Sequence, residues 1–312
     1  MKIGVCSANS RTYTTREMLV VLAAAAEAAG PESIWVSEHV VLMDPRRPPS
    51  PMDPADPILD PVTAPAFLAA RTSSVRLGTG VIVLPLRNPV VLAKELATID
   101  ILSGGRLIVG VGVGYVEREF GAVGVPFGGR GARTEEYLAA IRALWTQEHP
   151  RCAGLMVSFE GVQAHPRPLQ QAHPSVVIGG YAPAVMRRAV READGWYGWG
   201  LDPEQAARYI GTLAATAGSV TRRAGLGRLE ITITTPGEAD VATAARYAEL
   251  GVDRLNLMLP WQAGEADLAG FFERVIRPSY RHSRTERAAD MDHPLPGRTR
   301  DPTGMAARAL VR

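Results

Sequence analysis

The chain repeats one hydrophobic pattern eight times. Each repeat has a short apolar run rich in β-branched residues, then a Gly, Pro or polar turn, then an Ala- and Leu-rich stretch with apolar positions at helical spacing. The apolar runs predict strands over residues 2–7, 33–38, 75–83, 106–114, 174–180, 195–200, 229–234 and 254–259. The stretches between them predict helices over residues 16–29, 57–71, 89–103, 131–147, 183–193, 203–224, 238–250 and 265–277.

This repeat predicts an α/β protein with a closed (β/α)8 TIM barrel. Strands that are apolar throughout need cover on both faces, and strand–helix–strand units with right-handed crossovers supply it through parallel pairing. Eight such units over residues 1–276 match a barrel in count and size. A doubly wound open sheet is the main alternative.

Three segments fall outside the repeat. Residues 148–173 form an insertion between the fourth helix and the fifth strand, which we expect to wall the pocket. Residues 43–57 are rich in proline and follow strand two, so they either arch over the mouth of the barrel or form a surface loop. Residues 277–312 hold eight arginines against four acidic residues and lack apolar periodicity, which predicts a basic, partly disordered tail.

The composition of the chain limits the classes of binding partner that we expect for it. The 34 basic and 32 acidic residues nearly balance, so the chain has no charge pattern typical of nucleic-acid or membrane binding. No apolar stretch reaches the roughly 20 residues that cross a bilayer. Cys6 and Cys152 are far apart in sequence, which favours free thiols and a cytoplasmic protein. All but two of the basic residues are arginine, a bias typical of GC-rich genomes.

Barrel active sites lie where strands end, and strand two ends in the pair Glu38-His39. Because successive side chains of a strand point to opposite faces, one of the pair can enter the mouth while the other braces it. A histidine suits proton transfer near neutral pH, although a structural His that caps a loop is the alternative. The other histidines fall in the insertion or the tail without metal-ligand spacing, so we predict no metal site.

Glycines mark three further strand ends. The run GVGVGYVE at 110–117 leaves one strand face without side chains, where a flat ring or another backbone could approach. It is a weak dinucleotide signal, because the chain after it does not open directly into a predicted helix. In IGGYAPAVMRRA at 178–189 a helix follows two glycines at once, which predicts either a phosphate site or an ordinary turn. Gly80 before Val81 predicts an irregular strand end that bears against a ligand.

These motifs resemble a known family. SIWVSEHV, the block from Val75 to Phe120 and VIGGYAPAVMRRAVREADGW are similar to the bacterial luciferase-like monooxygenase superfamily, and within it to oxidoreductases that depend on the deazaflavin coenzyme F420. The resemblance covers residues 1–276. It implies a barrel, a homodimer, and a flavin-like ring in the mouth. The arginine bias agrees with an actinobacterial source, where the deazaflavin is common.

The resemblance also implies roles for single residues. His39 would lie near the reactive edge of the ring, Glu38 beside it, and Gly80-Val81 would form a non-proline cis peptide behind it. Further cofactor contacts would come from Asn88, Gly112, Val113, Gly179, Gly180 and Tyr181. Tyr115 stands where the sugar-phosphate dehydrogenase branch carries a catalytic glutamate, which disfavours such substrates and makes Tyr115 a candidate second proton donor.

Three functions remain open at this point. The first is hydride transfer between C5 of coenzyme F420 and a small organic substrate. The second is an FMN-dependent monooxygenase that uses reduced flavin and O2, and the third is a non-catalytic flavin-binding barrel. Large aromatic side chains either line the pocket or belong to the core: Trp35, Trp196, Tyr197, Trp199 and Trp261.

Overall fold

A computed structural model of the chain, which describes residues 1–262 and 264–276, shows a closed barrel of parallel strands. In chain order, the strands of the barrel and of a separate hairpin, β6–β7, are β1 Lys2–Cys6, β2 Ser33–Val36, β3 Arg76–Thr79, β4 Ile82–Val83, β5 Leu107–Gly112, β6 Cys152–Ala153, β7 Ser158–Phe159, β8 Ser175–Gly179, β9 Gly195–Gly198, β10 Glu230–Thr234 and β11 Arg254–Met258. The short β4 continues β3 beyond a break. Barrel order is β1, β2, β3/β4, β5, β8, β9, β10 and β11, and β11 pairs with β1 to close the circle. The predicted barrel is therefore confirmed, and the open-sheet alternative is wrong.

Within the described residues, an α-helix lies in each of the eight predicted ranges, and one further short α-helix, α4, was not predicted. The helices are α1 Arg16–Ala29, α2 Thr63–Ala69, α3 Pro89–Leu102, α4 Glu117–Val123, α5 Arg130–Thr146, α6 Pro183–Glu192, α7 Pro203–Ala217, α8 Val241–Glu249 and α9 Glu265–Phe271. Helix α2 begins six residues later than predicted, because Asp60 accepts hydrogen bonds from the N–H groups of Val62 and Thr63 and so sets the start of the helix. Helix α4 follows β5 after four residues, so the expectation that no helix opens there was wrong.

The insertion packs on the outside of the barrel. Buried Asp100 of α3 accepts hydrogen bonds from the N–H groups of Leu169 (2.7 Å) and Gln170 (3.0 Å). The hairpin β6–β7 is antiparallel, and the turn between its strands is held by Glu136 of α5. These bonds place the insertion beside α3 and α5. We had predicted instead that the insertion would wall the pocket.

Two loops meet at the C-terminal end of the barrel. Arg11, in the loop after β1, donates its N–H to the carbonyl of Pro57 (2.8 Å) and its guanidinium to Asp56 (3.2 Å). The proline-rich segment therefore reaches the loop after β1 at its far end, in line with the predicted arch. The tail at 277–312 lies outside the described residues. Within the described ranges, no helix is both long and apolar enough to cross a membrane.

Candidate active site

The third barrel strand breaks at the peptide Gly80-Val81, which is cis, as the resemblance implies. The two methyl groups of Val81 lie over the glycines that end the neighbouring strands. A Cβ built on Gly112 would lie 2.6 Å from Val81 Cγ2, and one built on Gly179 would lie 2.8 Å from Val81 Cγ1. Both positions must therefore be glycine to seat Val81, and their predicted contact with the cofactor stays a prediction.

The glycine face of β5 is filled by protein. A Cβ on Gly110 would lie 1.8 Å from the carbonyl oxygen of Thr79, so the backbone of β3 packs directly against this strand. Of the two expectations for this face, close approach of another backbone is the one that the structure shows. Val113, the next predicted cofactor contact, is half-buried and packs against the main core.

Glu38 is a bracing residue. Its buried carboxylate accepts hydrogen bonds from the N–H of Val83 and from Arg87 Nε (2.8 Å), and Arg87 also pairs with Asp60. Burial raises the pKa of Glu38, against the opposing effect of the Arg87 guanidinium. These partners show that Glu38 holds β4 and the loop after it in place, and the prediction that Glu38 is a catalytic residue stays a prediction.

His39 lies between two side chains from the segment after β5. Its Nδ1 is 3.1 Å from Glu119 Oε2, and its Nε2 is 3.4 Å from the hydroxyl of Tyr115, whose ring meets the imidazole edge-on. The other oxygen of Glu119 accepts the N–H of Val40 at 2.9 Å. The predicted candidates His39 and Tyr115 are thus brought together.

Sequence reasoning gave Glu119 no role. Its only signal in the sequence is that it is an acid shortly after Tyr115, and Glu117 is another: Glu117 comes two residues after Tyr115 and Glu119 four. Helix α4 decides between the two acids, because it turns Glu119 into the protein and leaves Glu117 exposed. Since α4 is only seven residues long, its helical periodicity is too weak to read from the sequence.

The loop from β8 into α6 holds the predicted phosphate-binding residues Gly179, Gly180 and Tyr181. Gly180 has φ +128°, a conformation that favours glycine, and a Cβ there would lie 3.2 Å from Val185 Cγ1. Its carbonyl accepts the indole N–H of Trp196 (2.9 Å). The hydroxyl of Tyr181 donates to the carbonyl of Trp199 and accepts its N–H, so the loop is held from outside. In the first turn of α6, Pro183 has no N–H and the N–H of Val185 donates to the carbonyl of Ala182 (2.8 Å), which leaves the N–H of Ala184 as the donor there.

Asn88 is placed at the start of α3. Its Oδ1 accepts the N–H groups of Val90 (3.0 Å) and Val91 (3.2 Å), and the residue is exposed. The structure therefore gives Asn88 a helix-capping role, and its predicted contact with the ring stays a prediction.

Large apolar side chains are exposed around the mouth. They follow the ends of five barrel strands: Val40, Val41, Tyr115, Tyr181, Trp199 and Trp261. Trp199 and Trp261 of the predicted aromatic set belong to this rim. Trp35, Trp196 and Tyr197 are fully or almost fully buried core residues instead, and Tyr197 stacks on Trp35 with ring centres 5.4 Å apart. Clustered exposed apolar side chains are typical of a ligand site.

Among the described residues, no group of three or more His, Cys, Asp and Glu side chains could hold a metal ion. The two cysteines are both free. Burial raises the pKa of the Cys6 thiol, at the end of β1, to about 12, so that thiol stays protonated.

Comparison with known proteins finds a family whose model matches almost the whole chain. The family model described as luciferase-like monooxygenase matches residues 1–304. An uncharacterized protein of Mycobacterium tuberculosis is 35% identical over 219 residues, which cover 70% of this chain and 75% of the relative. A solved structure of an F420-dependent secondary alcohol dehydrogenase matches with a TM-score of 0.71 at 16% identity, covering 89% of this chain and 98% of that chain. At this identity the match concerns the fold alone.

Two relatives with named activities differ in their cofactor. An F420-dependent glucose-6-phosphate dehydrogenase of Kineococcus radiotolerans is 35% identical over 191 residues, or 59% of this chain and 53% of the relative. An FMNH(2)-dependent dimethylsulfone monooxygenase of Pseudomonas putida is also 35% identical, over 146 residues, or 46% of this chain and 40% of the relative. These relatives support a redox enzyme that binds a flavin-type cofactor of either kind.

Proposed function

The chain belongs to the luciferase-like monooxygenase family, and from that premise we propose an oxidoreductase that uses coenzyme F420 to transfer a hydride to or from a small organic substrate. The observation that carries the proposal is the mouth, where Val81, His39 and the Gly180 loop end three strands at the same end of the barrel. For the choice of cofactor, support comes from the F420-dependent relative, which aligns with 59% of the chain against 46% for the FMN-dependent one.

The residues present fit such a cofactor. Val81 presents a fixed apolar surface at the mouth, suited to the back of a planar ring. The cradle at Gly180 and the N-terminus of α6 would bind a phosphate, because backbone N–H groups and the helix dipole both favour an anion there. When bound, the deazaflavin supplies hydride chemistry at C5.

Residues of the chain itself would transfer the proton and exclude water from the reacting atoms. His39 supplies the imidazole at the mouth, a group that can both donate and accept a proton. The exposed apolar rim would bury an organic substrate and exclude water from the reacting atoms. An uncharged, largely apolar substrate matches this rim.

Cofactor titration tests the proposal. The purified protein is titrated with coenzyme F420 and with FMN, and binding is followed by fluorescence. We expect tight binding of F420 and its reduction or oxidation with an organic substrate. Tight FMN binding with O2 uptake that depends on reduced flavin would establish the monooxygenase alternative instead. Binding of neither cofactor would support the non-catalytic barrel.

A glycine variant tests the phosphate cradle. Gly180→Ala adds a methyl group where φ is +128° and Val185 is close, so we expect the affinity for F420 to fall at least about tenfold, a loss of about 1.4 kcal/mol. Gly225→Ala is the matched control: φ there is +87° and the added methyl group meets nothing within 4 Å. Equal affinities in the two variants would refute the cradle.

A second variant tests His39. We expect His39→Ala to lower turnover far more than it lowers cofactor affinity, since the imidazole acts on the proton and does not anchor the cofactor. Unchanged turnover with a true substrate would remove His39 from the mechanism.

A further inference from the structure

We propose that Glu119, His39 and Tyr115 form a directional proton relay, in which Glu119 fixes the protonated nitrogen of His39 and Tyr115 is the group that exchanges the proton with the substrate. The inference rests on the proposed function for its substrate. Its geometry stands on the described residues alone. Glu119 would be a positioning residue and Tyr115 a catalytic one.

Exposure falls stepwise along the three side chains. Tyr115 is 51% exposed at the mouth, the His39 side chain 11% and the Glu119 side chain 3%. The contacts run in the same order, with 3.4 Å from Tyr115 to His39 Nε2 and 3.1 Å from His39 Nδ1 to Glu119. Of the three, Tyr115 is therefore the side chain most open to a substrate.

Glu119 sets which nitrogen of His39 carries hydrogen. A carboxylate only accepts hydrogen bonds, and one of its oxygens already accepts the N–H of Val40 at 2.9 Å. The second oxygen faces His39 Nδ1, so that nitrogen must be the N–H donor. In a neutral imidazole, Nε2 is then an acceptor, directed at the hydroxyl of Tyr115.

Tyr115 is suited to donate. Burial and the nearby charge of Glu119 raise its pKa to about 12, so the hydroxyl keeps its proton at neutral pH. In the direction of substrate reduction, the substrate carbon gains the hydride of the reduced cofactor, and the adjoining oxygen or nitrogen gains the proton of Tyr115. Nε2 of His39, which enters the step as an acceptor, then takes up a proton from solvent and passes it to the tyrosine oxygen. His39 returns to its neutral form and keeps its Nδ1–H bond to Glu119 throughout.

Nitrogen NMR of the histidines tests the first half of the relay without any cofactor. In protein labelled with 15N-histidine, with the His39 signals assigned by their loss in His39→Gln, we expect the Nδ1–H tautomer. In Glu119→Gln the amide oxygen must accept from Val40, so the NH2 group faces Nδ1 and the tautomer switches to Nε2–H. Glu117→Gln, an exposed neighbour on the same helix, should leave the tautomer unchanged. An Nε2–H tautomer in the wild-type protein would overturn the proposal.

Kinetics test the second half. We expect Tyr115→Phe to lower kcat by about 10²- to 10⁴-fold, the usual value of a positioned proton donor, with the KM for the cofactor within about twofold. If Tyr115→Phe retains full kcat with a working cofactor and substrate, the relay is wrong and the proposed function stands. If neither cofactor binds, the proposed function fails, and the NMR result still decides the geometry.

Discussion

The position of Val81 over two glycines allows a quantitative prediction of how a substitution at Gly112 changes the free energy of unfolding. In Gly112→Ala the new Cβ would lie 2.6 Å from Val81 Cγ2, well inside the 3.4 Å at which ordinary contact begins. Val81 is β-branched and therefore stiff at χ1, so it cannot swing aside freely. Once the Val81 methyl groups are removed, the nearest atom is Val81 Cβ at 3.7 Å, which is an ordinary contact.

The expected energies follow from this geometry. Gly112→Ala should lower the free energy of unfolding by about 1–3 kcal/mol, the usual cost of overpacking. Val81→Ala should cost about 1 kcal/mol, because it removes two methyl groups that are only partly buried. The double variant should be no less stable than Val81→Ala alone, so the two changes should be coupled by about 1–3 kcal/mol.

Urea unfolding of the four proteins measures the coupling, provided that the m values agree. Gly211→Ala in α7 is the control for the glycine change itself, since its added methyl group meets nothing within 4 Å. It should raise the free energy of unfolding by about 0.5–1 kcal/mol, because alanine favours a helix interior. If the Gly112 and Val81 effects simply add, the methyl groups of Val81 do not occupy the space over Gly112, and the description of the mouth is wrong.

Three other variants test hydrogen-bonded carboxylates that hold parts of the structure in place. Glu27 accepts hydrogen bonds from residues 73–75; partial burial alone would raise its pKa, but these bonds lower it from 4.5 to about 2. The stability that Glu27 contributes is therefore complete above pH 4.5 and lost as the pH falls toward 2, so pH-dependent urea melts of Glu27→Gln and wild type should converge in acid. Asp100→Ala removes the acceptor for the N–H groups of residues 169–170, and we expect a loss of about 2–3 kcal/mol and faster proteolysis within the insertion; an unchanged cleavage pattern would contradict the anchor. Glu38→Gln removes the buried carboxylate charge from a half-buried guanidinium that keeps its pair with Asp60, so thermal unfolding should show a loss of about 1–3 kcal/mol, and a stability equal to wild type would argue against the brace.

The sequence predicted the barrel well because burial has a local signature. Strands covered on both faces are apolar throughout, and helices on the outside are apolar at every third or fourth position, so each element can be read without its neighbours. The errors fall where side-chain chemistry overrides periodicity. Asp60 delays the start of α2, and α4 is too short for a period to show.

The site was only partly readable. The alternation of a strand predicted that Glu38 and His39 point to different sides, but it could not say which residue would enter the mouth. That choice depends on Arg87, which lies 49 residues later in the chain and pairs with Glu38. In the same way, the tyrosine beside His39 was a candidate, while the acid that orients the imidazole went unrecognised.

The sequence alone determined the eight repeated units and the end of the barrel where chemistry belongs, because each of these depends on neighbouring residues and on burial. The tertiary structure decided which side chains work together. His39 and Glu119 are 80 residues apart, and only the closure of the barrel and the turn of α4 bring them to 3.1 Å. The role of Gly112 was likewise decided in space, because the space over it is filled by Val81 from the neighbouring strand.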